Sequence, residues 1–480
     1  MTLSVVILAA GQGKRMRSDL PKVLQPLAGR PLLRHVIDCT RSLDADALHV
    51  VYGYGGDAVK AAFSGESLQW ALQAEQKGTG HAVMQAMGAI PDDHQVLVLY
   101  GDVPLIRADT LRVLIERATE RSLVILSVML ADPAGYGRVL RDNAGTVYRI
   151  VEQKDATKKE LAVREGNTGV MVAPAAALRR WLGNLKNDNS QGEYYLTDVL
   201  TLAVRDGFKV DAVVAPTEAE VLGVNDKLQL ALLETEYRRQ RSTELMLAGV
   251  TVLDPARLDV RGSVTAGFDV VLDINVVLEG AVTLGDRVSI GAGCVLKDVT
   301  IGADTVVHPY SVLESSVVAE RCVLGPFVRL RPGSRLDKGA RVGNFVELKN
   351  TVLGAGSKAN HLSYLGDATI GAKVNVGAGT IVCNYDGFNK WPTLIGDAVF
   401  IGSGSMLVAP VSIGAGATIG AGSTITKPVP AGGLTLERSE QHSIPTWKAP
   451  AAKAGAEERG RRLERGGLPP GGAAGPKSGS

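Results

Sequence analysis

Aromatic residues make up only 5% of this 480-residue sequence, cysteines number four, and no apolar run approaches a membrane span. Such a span needs ~18 to 20 consecutive apolar residues, so no transmembrane helix is expected. Cys39, Cys294, Cys322 and Cys383 are scattered without the spacing of a zinc site or a disulfide framework, which makes a reducing cytoplasm the expected compartment. An excess of one charge is also missing: 52 basic against 50 acidic residues give +2. No global field then favours nucleic acid, and any bound anion must be held locally. The apolar run within Met1 to Ala10 has no basic region before it, so a signal peptide is not expected.

What is present divides by texture, and at roughly 150 residues per domain two or three domains are expected. In residues 1–225, strand-like runs such as LSVVIL, ALHVVYG, VLVLYGD and LVILSVML alternate with helical patterns. This predicts a parallel α/β sheet of Rossmann-like kind, with ligands at the carboxyl ends of its strands. Residues 226–249 read as one connecting helix, capped by Asp226 and stopped by Gly249. In residues 250–440 aliphatic residues recur every six positions, most cleanly at Ile395, Ile401, Leu407, Ile413, Ile419 and Ile425. A sustained period of six predicts a β-helix in which each coil buries an aliphatic ladder against the next. Residues 441–480, rich in Gly, Pro and Ala, are expected to be a disordered tail.

The stretch LAAGQGKRMRSDLPKVL, Leu8 to Leu24, follows the first strand and gathers Gly11, Gly13, Lys14, Arg15, Arg17 and Lys22. It is not a Walker loop, and Met16 stands where a dinucleotide fingerprint needs its third glycine. Glycines that let backbone N–H groups approach phosphates, together with basic side chains, suit a triphosphate. A glycine turn beside a solvated basic patch fits the composition equally well.

Further segments go with that loop: QAEQKGTGHA, YGDVPL, GYGR, VEQKDA, NTGV, GEYYLTD and VLGVND, then RLRPGS and the hexapeptide repeats. Together the chain to about Glu440 resembles the bifunctional bacterial N-acetylglucosamine-1-phosphate uridyltransferases/glucosamine-1-phosphate acetyltransferases. The resemblance implies that Leu8, Ala10 and Gly11 line the uridine nucleotide and that Arg15 and Lys22 hold its phosphates as catalytic cations. Gln73, Gly78 and Thr79 would read the uracil, with Tyr100 beside them. Gly137, Glu152 and Asn167 would bind the N-acetylglucosamine ring. Asp102 and Asn225 would hold Mg²⁺, a cation that takes one or two protein oxygens and completes its shell with phosphates and water. No protein base is needed, because a sugar phosphate with a second pKa of ~6 is largely dianionic at neutral pH. In-line transfer from UTP would follow.

In the repeats, Arg331 and Lys349 lie 18 residues apart, three six-residue periods, and should stack on one face of adjacent coils as a two-cation grip. His361 and Tyr364 follow within the next coil, and near Val382 the rhythm breaks at CNYDGFNKWPT before resuming at Ile395. An insertion in a solenoid projects as a loop, and loops carry function. A single His among repeats is otherwise an ordinary corner residue. The resemblance implies that Arg331, Lys349, Tyr364, Asn375 and Lys390 bind glucosamine-1-phosphate, that Asn384, Tyr385, Ser403, Ala421 and Arg438 bind acetyl-CoA, and that His361 is the general base. An imidazole of ordinary pKa ~6.5 is suited to take the amine proton.

The expected whole is a cytoplasmic, Mg²⁺-dependent enzyme that acetylates glucosamine-1-phosphate with acetyl-CoA and then transfers UMP from UTP, giving a precursor of peptidoglycan and lipopolysaccharide. A homotrimer packed along one face of a left-handed parallel β-helix belongs to the same expectation. Two rivals are a single-activity nucleotidyltransferase with the β-helix as an assembly module, and a binding subunit without turnover.

Overall fold

The computed structural model describes residues 2–448, and its chain divides into two compact units, Met1–Leu436 and Glu437–Ser480. The tail expected from residue 441 lies outside the described residues from residue 449 onward.

The first half of the larger unit is built on one sheet. Its strands run in the order Lys209–Val214, Ser122–Met129, Glu165–Pro174, Gln95–Tyr100, Leu3–Ala9, Ala47–Tyr52 and Gln69–Leu72. Every residue of Leu3–Ala9 is buried, because helices cover both faces and the strand can be continuously apolar. It pairs in parallel with Ala47–Tyr52 on one side and Gln95–Tyr100 on the other. The chain order reverses direction there, which opens a crevice at the carboxyl end of Leu3–Ala9. The sheet is not wholly parallel as expected. Glu165–Pro174 runs antiparallel to both neighbours. It follows the antiparallel pair Arg138–Arg141 and Val147–Val151, with only the short helix Lys158–Leu161 between, so no long crossover turns the chain back into the parallel direction.

Lys227–Leu247 is a single helix of 21 residues. The Asp226 carboxylate accepts the Gln229 N–H at 2.8 Å and caps its start, and Gly249 at φ +98° ends it.

Beyond it the strands stack as a parallel β-helix. Ile370, Ile395 and Ile413 lie in one column, Val376, Ile401 and Ile419 in a second, and Val382, Leu407 and Ile425 in a third. Six residues therefore advance the chain by one face, and all nine side chains enter a single apolar core. Neighbouring coils are 17 or 18 residues apart, as from Leu353 to Ile370 and from Ile395 to Ile413. From Ile370 to Ile395 the step is 25, and the excess is the loop around Asn384–Lys390.

Candidate active sites

The first site opens in the crevice beyond Leu3–Ala9. The turn that leaves this strand needs Gly13, which sits at φ +61° with the Cβ of Lys22 only 2.7 Å from where its own Cβ would be. Removing that side chain lets the loop fold back over Lys22. Leu8, Ala10 and Gly11 line the cleft from one side, and Gln73, Gly78 and Thr79 from the other. Gln73 Nε2 donates to the Gly78 carbonyl at 3.1 Å, so one of its amide hydrogens is already committed to shaping the loop.

At the floor, the Lys22 ammonium pairs with the Asp102 carboxylate and reaches Asn225 Oδ1 at 3.4 Å. The Val224 N–H donates to the Asp102 carbonyl at 2.9 Å and ties the two oxygen-bearing segments together. Two oxygens from distant parts of the chain thus converge on one positive charge. No cluster of three metal-ligating His, Cys, Asp or Glu side chains exists among the described residues. Arg15 sits on a short 3-10 turn, exposed, and makes no ion pair among the described residues; it does not line the cleft.

Beside this floor lies a second group. A Cβ on Gly137 would stand 3.4 Å from the Glu152 carboxylate, and the Asn167 N–H donates to the Gly137 carbonyl at 2.8 Å. Thr197 donates to Glu152 Oε1 at 3.1 Å. Burial pushes the Glu152 carboxyl up, and the Thr197 hydroxyl opposes the shift. Burial also pushes the Tyr100 hydroxyl up, with the Glu152 and Asp102 charges adding to it, so Tyr100 keeps its proton beside the two groups. Gln76, Glu193 and Thr197 were not singled out from the sequence, although all three fall inside the segments QAEQKGTGHA and GEYYLTD.

The second site lies on the β-helix. Arg329 pairs in register with Glu347, so Arg331 stands level with Lys349 on adjacent coils, and Tyr364 follows on the next coil of the same face. Arg331 Nη1 donates to Glu347 Oε1 at 2.9 Å. The contact with Lys390 pushes the Lys349 ammonium below the ordinary lysine range, desolvation adds to this, and the charge of Asp367 opposes it. Lys390 has thus come from the inserted loop onto the grip formed by the coils. The loop itself is closed by the Trp391 N–H on the Asn384 carbonyl at 2.9 Å. Inside it, Asp386 accepts from the amides of Asn389 and Phe388 at 2.6 and 2.8 Å and from the Trp391 indole at 2.7 Å. These bonds, the Asn389 amide foremost, hold its carboxyl down to about 2. Tyr385 is exposed, with its hydroxyl donating to the Gly387 carbonyl at 2.5 Å.

His361 ends the strand Lys358–His361 and is exposed at the corner that leads into Tyr364. Asn375 is not on the face of Arg331 and Lys349. It pairs with Lys358 and Phe400 on the preceding face, because it precedes Val376 of the second column, whereas Lys349 and Tyr364 flank Leu348 and Leu365, which stack below Val382 of the third. Ser403 follows Phe400–Ile401, and Ala421 follows Thr418–Ile419, at the same corner as His361 but on later coils. Arg438 belongs to the smaller unit.

A corner ladder runs up to His361. Tyr310, Phe327, Phe345 and Leu362 all adopt positive φ and remain 45 to 61% exposed. The Tyr310 and Phe327 rings stack at 5.5 Å, and Phe327 and Phe345 at 5.2 Å.

Residues 5–191 match the MobA-like NTP transferase domain, and residues 392–427 match the bacterial transferase hexapeptide of six repeats. A protein named bifunctional protein GlmU from Aromatoleum aromaticum is 56% identical over 455 residues, 95% of this chain and all of that one. The chain belongs to the bifunctional GlmU family. A second GlmU, from Azoarcus sp. (strain BH72), is also 56% identical and covers 93% of this chain and 99% of its own. A solved nucleotidyl transferase from Methanothermobacter thermautotroptrophicus aligns with half of this chain at 22% identity and a TM-score of 0.37, too distant to add to the GlmU assignment. As a GlmU, the chain is a bifunctional transferase: it acetylates glucosamine-1-phosphate and transfers UMP to N-acetylglucosamine-1-phosphate, giving UDP-N-acetylglucosamine, and its co-substrates are acetyl-CoA and UTP. The single-activity alternative is not favoured, since the match to GlmU runs through both halves.

Proposed function

We propose that the two reactions divide between the two sites, with uridylyl transfer at the crevice beyond Leu3–Ala9 and acetyl transfer on the β-helix face around Lys349. The convergence of Lys22 with Asp102 and Asn225 carries the first half of this reading. Leu8, Ala10, Gly11, Gln73, Gly78, Thr79 and Tyr100 would form the uridine pocket, and Gly137, Glu152 and Asn167 would take the sugar. The oxygens of Asp102 and Asn225 suit Mg²⁺, since they already converge on one cation and leave the rest of a shell to phosphate and water. When bound, the ion would neutralise charge on the triphosphate. Lys22 would turn to the α-phosphate while the dianionic sugar phosphate attacks in line and pyrophosphate leaves. Arg15 would have to swing inward to join it.

In the second site Arg331, Lys349 and Lys390 would hold the sugar phosphate beside Tyr364. His361 would take the proton from the amine as its nitrogen attacks the thioester, and the CoA thiolate would leave. Asn384 and Tyr385 would contact the acetyl donor. From another copy of the chain, Asn375 would reach the sugar phosphate, and Ser403, Ala421 and Arg438 the acetyl donor. A homotrimer is part of this proposal: the stacked ladder of Tyr310, Phe327 and Phe345 leaves its flank open beside His361, as a surface covered by a second copy would. A cytoplasmic setting fits four unpaired cysteines, and no helix among the described residues is long and apolar enough to cross a membrane.

The test is a pair of variants in the full chain. Lys22→Ala is expected to abolish pyrophosphate release and spare CoA release, and His361→Ala the reverse, by ~10²–10⁴-fold. Loss of both activities in either folded variant would overturn the division.

A further inference from the structure

Asp367 was not among the residues singled out from the sequence, yet it faces both lysines of the acetyl site and holds both ends of the inserted loop. It stands at a β-helix corner with φ +51°, one coil above Asn350 at φ +47°. Its N–H donates to the Lys349 carbonyl at 2.9 Å, which fixes it over the lysine of the grip. One carboxylate oxygen accepts from Asn350 Nδ2 at 2.8 Å, and the other accepts from Asn384 Nδ2 at 2.5 Å. That second oxygen also lies 3.9 Å from Lys349 Nζ. Its carbonyl accepts the Thr393 N–H at 3.1 Å.

Asn384 opens the inserted loop and Thr393 closes it, so a single residue grips the loop at both ends. The same carboxylate faces two ammonium groups in mutual contact, Lys349 from the coil and Lys390 from the loop. Two like charges at that range repel, and a partly buried counter-ion between the elements that bear them offsets the repulsion. Burial opposes ionisation of Asp367, but the bonds from Asn350 and Asn384 and the charges of Lys349 and Lys390 outweigh it, and its carboxyl sits below the usual range.

The geometry points to Asp367 as the positioning residue of acetyl transfer: it pins the loop and supplies the counter-charge that keeps Lys349 and Lys390 side by side and protonated for a phosphate dianion. This rests on the proposed placement of the sugar phosphate at Lys349. Asp367 itself touches no substrate and moves no proton in the reaction.

The groups that face Lys349 are Lys390, Asp367 and Arg331, with Glu347 and Tyr364 behind Arg331. Without the carboxylate the remaining cations disfavour a charged Lys349, and the lysine should lose its proton at lower pH. The experiment measures CoA release by the full chain from pH 6 to 10 for Asp367→Asn and Asp367→Glu, with pyrophosphate release as the internal control of folding. For Asp367→Asn, kcat/KM for glucosamine-1-phosphate should fall about tenfold at pH 8, mostly through KM, with the alkaline limb of the profile displaced to lower pH. Asp367→Glu should restore the limb toward its original position. An unchanged profile, or an equal loss at every pH, would overturn the counter-charge role. Lys349→Ala with normal acetyl transfer would instead overturn the placement of the sugar phosphate on which the inference rests.

Discussion

The ammonium of Lys22 pairs with the carboxylate of Asp102, so the two charges at the floor of the crevice neutralise each other. Both side chains are mostly buried, 14 and 16% exposed, so the pair is shielded from the screening that weakens surface ion pairs. Asp102→Ala is expected to lower uridylyl transfer by ~10²–10³-fold and to leave acetyl transfer unchanged. Parallel assays of pyrophosphate and CoA release on one preparation would check this.

Glu152 predicts a conflict between stability and activity. Burial raises its carboxyl, and the Thr197 hydrogen bond only partly offsets this. A carboxyl raised in the folded state contributes most below its unfolded value of about 4.3, and that contribution is lost as the pH rises through the folded value. Glu152→Gln, neutral throughout, should therefore unfold at a higher temperature than the parent at pH 7 and alongside it near pH 4. Uridylyl transfer should fall through KM for the sugar phosphate.

Gly366 is pressed between two residues of the acetyl site. A Cβ there would meet Tyr364 Oη at 2.5 Å and Asn384 Nδ2 at 2.8 Å. Gly366→Ala should displace both and reduce acetyl transfer by up to ~10²-fold, with uridylyl transfer intact. Equal CoA release by the variant and its parent would contradict the site.

The aromatic ladder gives an assembly prediction. Phe327→Lys inserts a charge into the middle of the stack and should shift the sedimentation profile toward a single copy of the chain. Acetyl transfer should fall with it, in proportion to the lost oligomer, while uridylyl transfer persists.

Much of the scaffold could be read from the sequence because one physical demand fixes one residue type. Each β-helix column must be aliphatic, and Ile395, Ile401 and Leu407 announce the period directly. The cap at Asp226 was legible for the same reason. The direction of Glu165–Pro174 was not, since a buried strand reads alike whichever way it runs. Arg331 and Lys349 could be paired from their spacing, and the same count puts Asn375, which precedes Val376, on a different face from theirs. Asp367 was invisible for another reason. Asp, Asn and Gly recur at these corners through their tolerance of positive φ, as at Asp298, Asn350 and Gly333, and nothing in the local pattern separates a corner residue from a counter-ion.

The seven or eight extra residues between Ile370 and Ile395 leave no trace in the columns that follow, for Ile413 sits over Ile395 as though nothing had intervened. The reading frame of the solenoid is thus insulated from what is written at its corners. A loop of different length or chemistry could be exchanged there without rewriting a single core position, so this corner can change its chemistry while the scaffold stays as it is.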